Sequence, residues 1–373
     1  LFLKDNYMGF KCGIVGLPNV GKSTLFNAIT ATRAAEAANY PFCTIEPNSG
    51  LVAVPDERMQ KLASIAGSAK IIPTYIELMD IAGLVQGASK GEGLGNKFLA
   101  HIREVDAIIH VLRCFEDENI THVHGNVNPN YDADIIETEL LLADLESLEK
   151  RLPQAEKKIK AGDKTGKEQY DLMKEVYKAL SDGIPARKLI KNKEDQTQIN
   201  ALQLLTSKPI LYVCNVLESE AATGNKLSEE VASKAKAENA KTVIISAQIE
   251  EEIASLESAE EKQEFLESLD LSETGLSKII KAGYDLLGLK SYFTVGPKET
   301  HAWTFTSGTL APAAAGIIHT DFEKGFIRAE VIAYDDYIAY NGETKVKEAG
   351  KMRLEGKEYI VQDGDVIHFR FNV

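Results

Sequence analysis

The sequence has little cysteine, 4 in 373 residues, and a single tryptophan. Cys12, Cys43, Cys114 and Cys214 lack the paired spacings of a zinc ribbon or a disulfide framework, which argues against a small cross-linked secreted scaffold and fits a reducing compartment. Long apolar runs are also missing. No stretch approaches the roughly eighteen apolar residues of a membrane span, and the N-terminal segment has no signal-peptide core, so a cytoplasmic protein with no membrane partner is expected. The residues before Met8 read as an added leader and are left out of fold reasoning. The 7 histidines show no metal-ligand spacing beyond His122-x-His124, which leaves them packing or solvent roles. Basic residues are outnumbered, 42 Lys and Arg against 56 Asp and Glu, and the net charge of −14 argues against broad attraction to nucleic acid or anionic lipid. What remains is 44% hydrophobic and 26% charged, an ordinary globular composition on a chain long enough for two or three domains.

The charge is uneven. Residues 150–193 hold 13 Lys and Arg against 6 Asp and Glu, a local net of +7 in an otherwise acidic chain. Such a stretch is either a solvated helical face or an arm that contacts a polyanion. The same region carries Leu141, Leu145, Leu148, Leu152, Ala155 and Ile159 at alternating four- and three-residue steps. Beyond the Gly162 to Gly166 break, Tyr170, Met173, Val176, Tyr177 and Leu180 form a second stripe. Two such stripes predict an antiparallel helical hairpin.

On either side of this hairpin, apolar runs alternate with helical patterns. Ile14-Val15, Tyr75 to Met79, Ala107 to Leu112, Pro209 to Cys214 and Thr242 to Ile245 read as strands of one doubly wound parallel sheet interrupted by the hairpin. After Ser291 the pattern changes to strands punctuated by turns. Its clearest member is the alternation Ile367, Phe369, Phe371 after Asp363-Gly364-Asp365, so a small strand-rich domain closes the chain.

The chemistry concentrates in Gly16-Leu17-Pro18-Asn19-Val20-Gly21-Lys22-Ser23, a complete G-x-x-x-x-G-K-S loop between a strand and a helix. Glycines let backbone N–H groups curl around phosphate oxygens, Lys22 reaches the terminal phosphates and the Ser23 hydroxyl can ligate Mg²⁺. Asp80-Ile81-Ala82-Gly83 has the D-x-x-G form, in which the acid holds Mg²⁺ through water and a glycine N–H meets the γ-phosphate. Thr44, on the Tyr40 to Pro47 segment, is a candidate to complete the Mg²⁺ shell. Many nucleotidases of this kind place a water-orienting glutamine after D-x-x-G, but here the residue is Leu84, so unassisted hydrolysis should be slow. Asn19 either stabilises the loop by hydrogen bonding or helps hold a K⁺ ion.

Guanine-specific relatives end a strand with N-K-x-D. This chain has Asn215-Val216-Leu217-Glu218 there, with Ser246-Ala247 where a second loop meets the base. Val216 lacks the lysine stem, and Glu218 carries its carboxylate one methylene further out than Asp does. Mispaired polar contacts discriminate strongly, so adenine is the expected base.

The phosphate loop, the Y-P-F-C-T-I-E-P segment, the stretch from Asp80 to Asn96 and Asn215 to Glu218 together resemble the YchF or Obg-like ATPase family. The likeness runs from Met8 to Val373. It includes His319 to Arg328 and Asp363 to Val366, which are similar to that family's TGS domain, a β-grasp module. The resemblance implies a P-loop G domain over 8–130 and 205–290, an inserted coiled-coil hairpin over 131–204 and a TGS domain over 291–373. It implies a nucleotidase preferring ATP over GTP, a ribosome-associated regulator of translation or stress responses that docks through the hairpin or the TGS domain as a monomer. Under it, Asn19, Val20, Gly21, Lys22, Ser23 and Thr24 bind phosphate, Ser23, Thr44 and Asp80 serve Mg²⁺, and Lys22, Thr44, Asp80 and Gly83 carry catalysis. Asn215, Val216, Glu218, Ser246 and Ala247 then surround the base. The other role left open is a nucleotide-sensing module that regulates a protein partner, with hydrolysis incidental.

Overall fold

The computed structural model describes residues 10–37, 48–81, 94–118, 120, 126–161 and 166–372. The first half of the chain runs β1 (Lys11–Val15), α1 (Lys22–Ala37), β2 (Ser49–Ala53), α2 (Arg58–Ala66), β3 (Ile71–Ile72), β4 (Tyr75–Asp80), α3 (Leu94–Glu104) and β5 (Ala107–Arg113). It continues through α4 (Pro129–Lys160), α5 (Gly166–Ser181), α6 (Lys193–Ala201), β6 (Ile210–Asn215), α7 (Lys226–Ala237), β7 (Lys241–Ile245), α8 (Ala247–Ser255), α9 (Ala259–Ser268) and α10 (Gly275–Leu286).

One sheet has the order β2-β4-β1-β5-β6-β7. β1 pairs in parallel with β4 and β5, and β5, β6 and β7 continue in parallel. Every residue of β5 and β6 is buried, as unbroken apolar strands covered on both faces must be. Successive strands are added to one side of β1 and then to the other. The switch opens a crevice at their carboxyl ends, where open α/β sheets bind ligands.

The hairpin forms from α4 and α5, with Leu148, Met173, Val176 and Leu180 buried together and Tyr177 Oη donating to Glu149 at 2.8 Å. Its first helix begins earlier than the leucine stripe indicates. Asn128 caps it, Pro129 occupies the first turn, and Ala133, Ile136, Leu140 and Ala143 are buried before the hairpin proper begins. Asp144 ties this base to the segment entering β6, accepting from Leu205 N–H at 2.9 Å, Thr206 N–H at 2.8 Å and Thr206 Oγ1 at 2.7 Å. Burial raises its pKa despite those three donors.

The remaining elements are β8 (Leu289–Val295), β9 (Thr300–Thr306), α11 (Ala311–Ile318), α12 (Thr320–Lys324), β10 (Phe326–Ile332), α13 (Tyr334–Ala339), α14 (Glu343–Glu348), β11 (Arg353–Glu355) and β12 (Val366–Phe371). Their sheet has the order β11-β10-β12-β8-β9-β3, with β8–β9 and β10–β12 antiparallel and β12–β8 parallel. The β8–β9 hairpin and the antiparallel β10–β11 pair, one before and one after α11 in the chain, with the last strand β12 between them in the sheet, make the expected β-grasp. α11 lays Ala311, Ala314 and Ala315 against Tyr292, Phe305, Val331 and Phe369.

The chain divides into two compact units, Lys11–Gly50 with Glu77–Ala282, and Leu51–Ile76 with the chain from Gly283 onward. This differs from the expectation that residues 8–130 belong wholly to the nucleotide-binding domain. β3 pairs with β9, Ile71 opposite Thr300 and Ile72 opposite His301. α2 buries Met59 and Leu62 beside Phe293, Ala302 and Val366. The apolar stripe of α2 finds its partners in the C-terminal unit, and the short β3 pairs as that sheet's edge.

Candidate nucleotide-binding site

The residues singled out in the nucleotide-binding unit stand at the carboxyl ends of parallel strands. The phosphate loop follows β1, Asp80 ends β4, Asn215 ends β6, and Ser246-Ala247 follows β7. Register holds these ends level: Ile14 lies opposite Asp80, and Asn215 opposite Ile245.

Within the loop, two glycines are required by space. A Cβ on Gly16 would stand 2.7 Å from the Val111 carbonyl oxygen, and one on Gly21, which has φ +92°, would stand 2.2 Å from Asn215 Nδ2. Asn19 also adopts a left-handed conformation, φ +63°, which asparagine tolerates better than most residues. Val20 is buried, whereas Ser23 is exposed and Thr24 half-buried in the first turn of α1. Lys22 opens α1 and turns its ammonium onto β4, with Nζ 2.8 Å from Asp80 Oδ1 and 2.6 Å from the Ile81 carbonyl oxygen. The fold therefore brings together the phosphate lysine and the candidate Mg²⁺ acid. Ser23 and Asp80 carry hard oxygen donors of the kind that could hold Mg²⁺ alongside phosphate oxygens. Thr44, Gly83, Leu84, Cys43 and the His122-x-His124 pair lie outside the described residues.

The Asn215 side chain bridges two loops. Its Nδ2 donates to the Val20 carbonyl at 2.9 Å, and its Oδ1 accepts from the Ala247 N–H at 2.9 Å. One partner is only an acceptor and the other only a donor, so the amide orientation is determined by the network. Sequence reasoning placed Asn215 against the purine, and here its carboxamide also fastens the base-side loop to the phosphate loop. Val216 donates its N–H to the Ile245 carbonyl at 2.9 Å, and its side chain is 2% exposed. The valine is thus part of the core, so a lysine stem there would need repacking. Glu218 is partly exposed, and its buried Oε1 has no hydrogen-bond partner among the described residues. Ser246 and Ala247 are buried at the start of α8.

Comparison with known proteins gives the family. The model described as a 50S ribosome-binding GTPase matches residues 11–143, and the YchF-GTPase C-terminal model, described as a protein of unknown function (DUF933), matches residues 289–372. The protein named "Ribosome-binding ATPase YchF" from Bacillus subtilis (strain 168) is 56% identical over 98% of this chain and 100% of its own length. The chain belongs to the YchF family. The Escherichia coli O157:H7 protein of the same name is 53% identical over 98% of this chain and 100% of its own. The solved Schizosaccharomyces pombe YchF GTPase superposes with a TM-score of 0.87 at 40% identity, covering 97% of this chain and 98% of that one.

For this YchF family member the structure also divides the basic stretch. Lys157 and Lys158 are exposed on the outer part of the hairpin, and Lys160 is 72% exposed beside Glu156. Arg187 is instead mostly buried at the hairpin base, its guanidinium 2.6 and 3.1 Å from the two Glu137 carboxylate oxygens, and Lys188 lies 3.6 Å from Glu238. Counting charge along the sequence could not separate these two groups. It also missed Asn225 and Glu220, which lie behind the base-side segment. The signal available was the helix-start pattern Asn225-x-x-Ser228, which marks a cap and says nothing of the other bonds the asparagine makes.

Proposed function

We propose that this chain binds ATP in preference to GTP, hydrolyses it slowly with Mg²⁺, and uses the nucleotide state to regulate docking to the ribosome. The convergence of Lys22 and Asp80 at the ends of α1 and β4 carries the reading. An incoming triphosphate would draw Lys22 Nζ away from Asp80 and Ile81, which frees the carboxylate to face the metal side of the phosphates. Ser23, Asp80 and Thr44 would hold Mg²⁺, which when bound neutralises phosphate charge. Asn19 to Thr24 cradle the phosphates, with Asn19 the candidate for a K⁺ contact, and the Gly83 N–H is assigned to the γ-phosphate. With Leu84 where a glutamine would orient water, turnover of the isolated protein should lie far below the median enzyme value of about 10 s⁻¹ and rise with K⁺ or a partner.

Adenine preference is supported by the N-V-L-E segment. The Val216 N–H is held by Ile245, so the Val216 carbonyl is the group proposed to take the adenine 6-amino proton. Two relatives named as ribosome-binding ATPases, each more than half identical to this chain, support both the nucleotide and the ribosome as partners. The exposed hairpin lysines, and the β-grasp unit as the alternative surface, are proposed to meet ribosomal RNA, with the protein acting as a cytoplasmic monomer. Calorimetric titration tests the central claim. ATP should bind at least about tenfold more tightly than GTP, roughly 1.4 kcal/mol, and equal affinities would remove the base-recognition argument.

A further inference from the structure

Behind the base-facing segment runs a hydrogen-bond chain through two side chains that neither the phosphate-loop pattern nor N-V-L-E contains. Asn225 Nδ2 donates to the Cys114 carbonyl at 2.6 Å and to Glu220 Oε2 at 2.7 Å. Glu220 Oε2 also accepts from the Leu217 N–H at 3.4 Å, and the Cys114 N–H donates to the Asn215 carbonyl at 2.8 Å. Residues 215–217 are therefore fastened at both ends. Asn215 is held to the phosphate loop and to Cys114, Leu217 is held to Glu220, and Asn225 joins the two anchors.

The other groups of Asn225 do a different job. Its Oδ1 accepts from the Ser228 N–H at 3.0 Å and its own N–H donates to Ser228 Oγ at 2.8 Å, which caps α7. Serine caps a helix about as well as asparagine does, but only the carboxamide supplies the two Nδ2 donors. The cap and the bridge can thus be separated by substitution.

We propose that Asn225 and Glu220 are positioning residues for base selection: by fixing Leu217 and Cys114 they set where the Val216 backbone meets the purine edge. The inference rests on the reading that this backbone contacts the base. Discrimination between purines by polar contacts depends on donors and acceptors held to within a fraction of an ångström. Their bridging bonds run to Cys114, Leu217 and each other and not, among the described residues, to the phosphate loop, so loosening them should blunt selectivity and leave the triphosphate site intact.

The test compares wild type with Asn225→Ser, which keeps the cap and removes the bridge, and Glu220→Ala, which removes the bridge from its other end without touching the cap of α7. Affinities for ATP, GTP and inorganic tripolyphosphate are measured by calorimetry, and kcat at saturating ATP. The ATP-to-GTP affinity ratio should fall from about tenfold or more to under about threefold in both variants, with tripolyphosphate affinity and kcat within about twofold of wild type. Glu220→Gln, which retains an acceptor oxygen, should keep the wild-type ratio. If wild type prefers ATP and both variants keep that preference, the inference falls and the ATP reading stands. If wild type shows no preference, both fall. A ratio that drops only in step with tripolyphosphate affinity would mark a general loss of structure and also overturn the positioning role.

Discussion

Replacing Asn215 with Asp isolates the bridge between the two nucleotide loops, because the two side chains have nearly the same shape. The acceptor toward Ala247 N–H survives, while the donor toward the Val20 carbonyl becomes an oxygen facing another oxygen across about the same 2.9 Å. Losing one hydrogen bond and stranding a buried carbonyl costs about 1–3 kcal/mol. The site is 4% exposed, so the new carboxylate must also be desolvated or take up a proton. A total near 3 kcal/mol is expected at neutral pH, which for a unit of this size corresponds to a fall in Tm of roughly 6–12 °C. The sign with pH is definite. Burial raises the introduced acid's folded pKa above the unfolded value of about 3.9, so the penalty is full at pH 7 and shrinks as pH falls toward the unfolded value. Differential scanning fluorimetry at pH 5 and pH 7.5, with and without ATP, reads all of this. A variant that melts within about 2 °C of wild type at both pH values and binds ATP normally would show that the amide bridge holds neither loop.

Lys22→Ala should abolish measurable ATP binding or turnover, because it removes the cation that neutralises the terminal phosphates; turnover at the parent rate would place the active site elsewhere. His110, fully buried beside Tyr212, has its pKa lowered to about 3 by burial and by the nearby Arg187 and Lys234 cations. Its contribution to stability is therefore complete above about pH 6.5 and declines as pH falls toward 3, by up to roughly 1.4 kcal/mol per pH unit. His110→Phe should flatten the acid limb of the stability curve, and an unchanged limb in urea titrations would refute the assignment. Reversing Lys157, Lys158 and Lys160 to Glu should weaken ribosome co-sedimentation and reduce its salt dependence while leaving ATP affinity intact, and unchanged sedimentation would return those lysines to a solvated face. Arg187→Glu should instead destabilise the fold in chemical unfolding by up to about 3 kcal/mol, since it sets a second carboxylate against the partly buried Glu137 in place of its partner.

What was legible in the sequence is what local pattern encodes. Eight contiguous residues specify the phosphate loop, and the apolar strands β5 and β6 could be bounded to within a residue because their burial is uniform along their length. The alternation of β12 and the turn before it marked a strand-rich closing unit, while its β-grasp topology was implied by the family resemblance. The α2–β3 excursion was not legible, since a nine-residue helix and a two-residue strand carry too little periodicity to name partners more than 200 residues away.

The site shows the same division more sharply. Lys22 was expected to reach the terminal phosphates and Asp80 to hold Mg²⁺, each from a motif of fixed spacing, and the fold brings the two side chains together. Asn225 acts through the backbone oxygen of Cys114, 111 residues earlier, and a carbonyl has no side-chain identity for a pattern to detect. Bonds from side chain to distant backbone are thus the component that only the folded chain displays. In this protein they also connect the motifs: Asn215 joins the base loop to the Val20 carbonyl, and Asn225 joins the segment after β6 to the end of β5. The motifs point to the chemistry, and on the proposed reading the side-chain bonds between them would set the precision with which two purines are told apart. Substitutions at the bridging asparagines should therefore change selectivity more than turnover, whereas substitutions at Lys22 or Asp80 should act on turnover first.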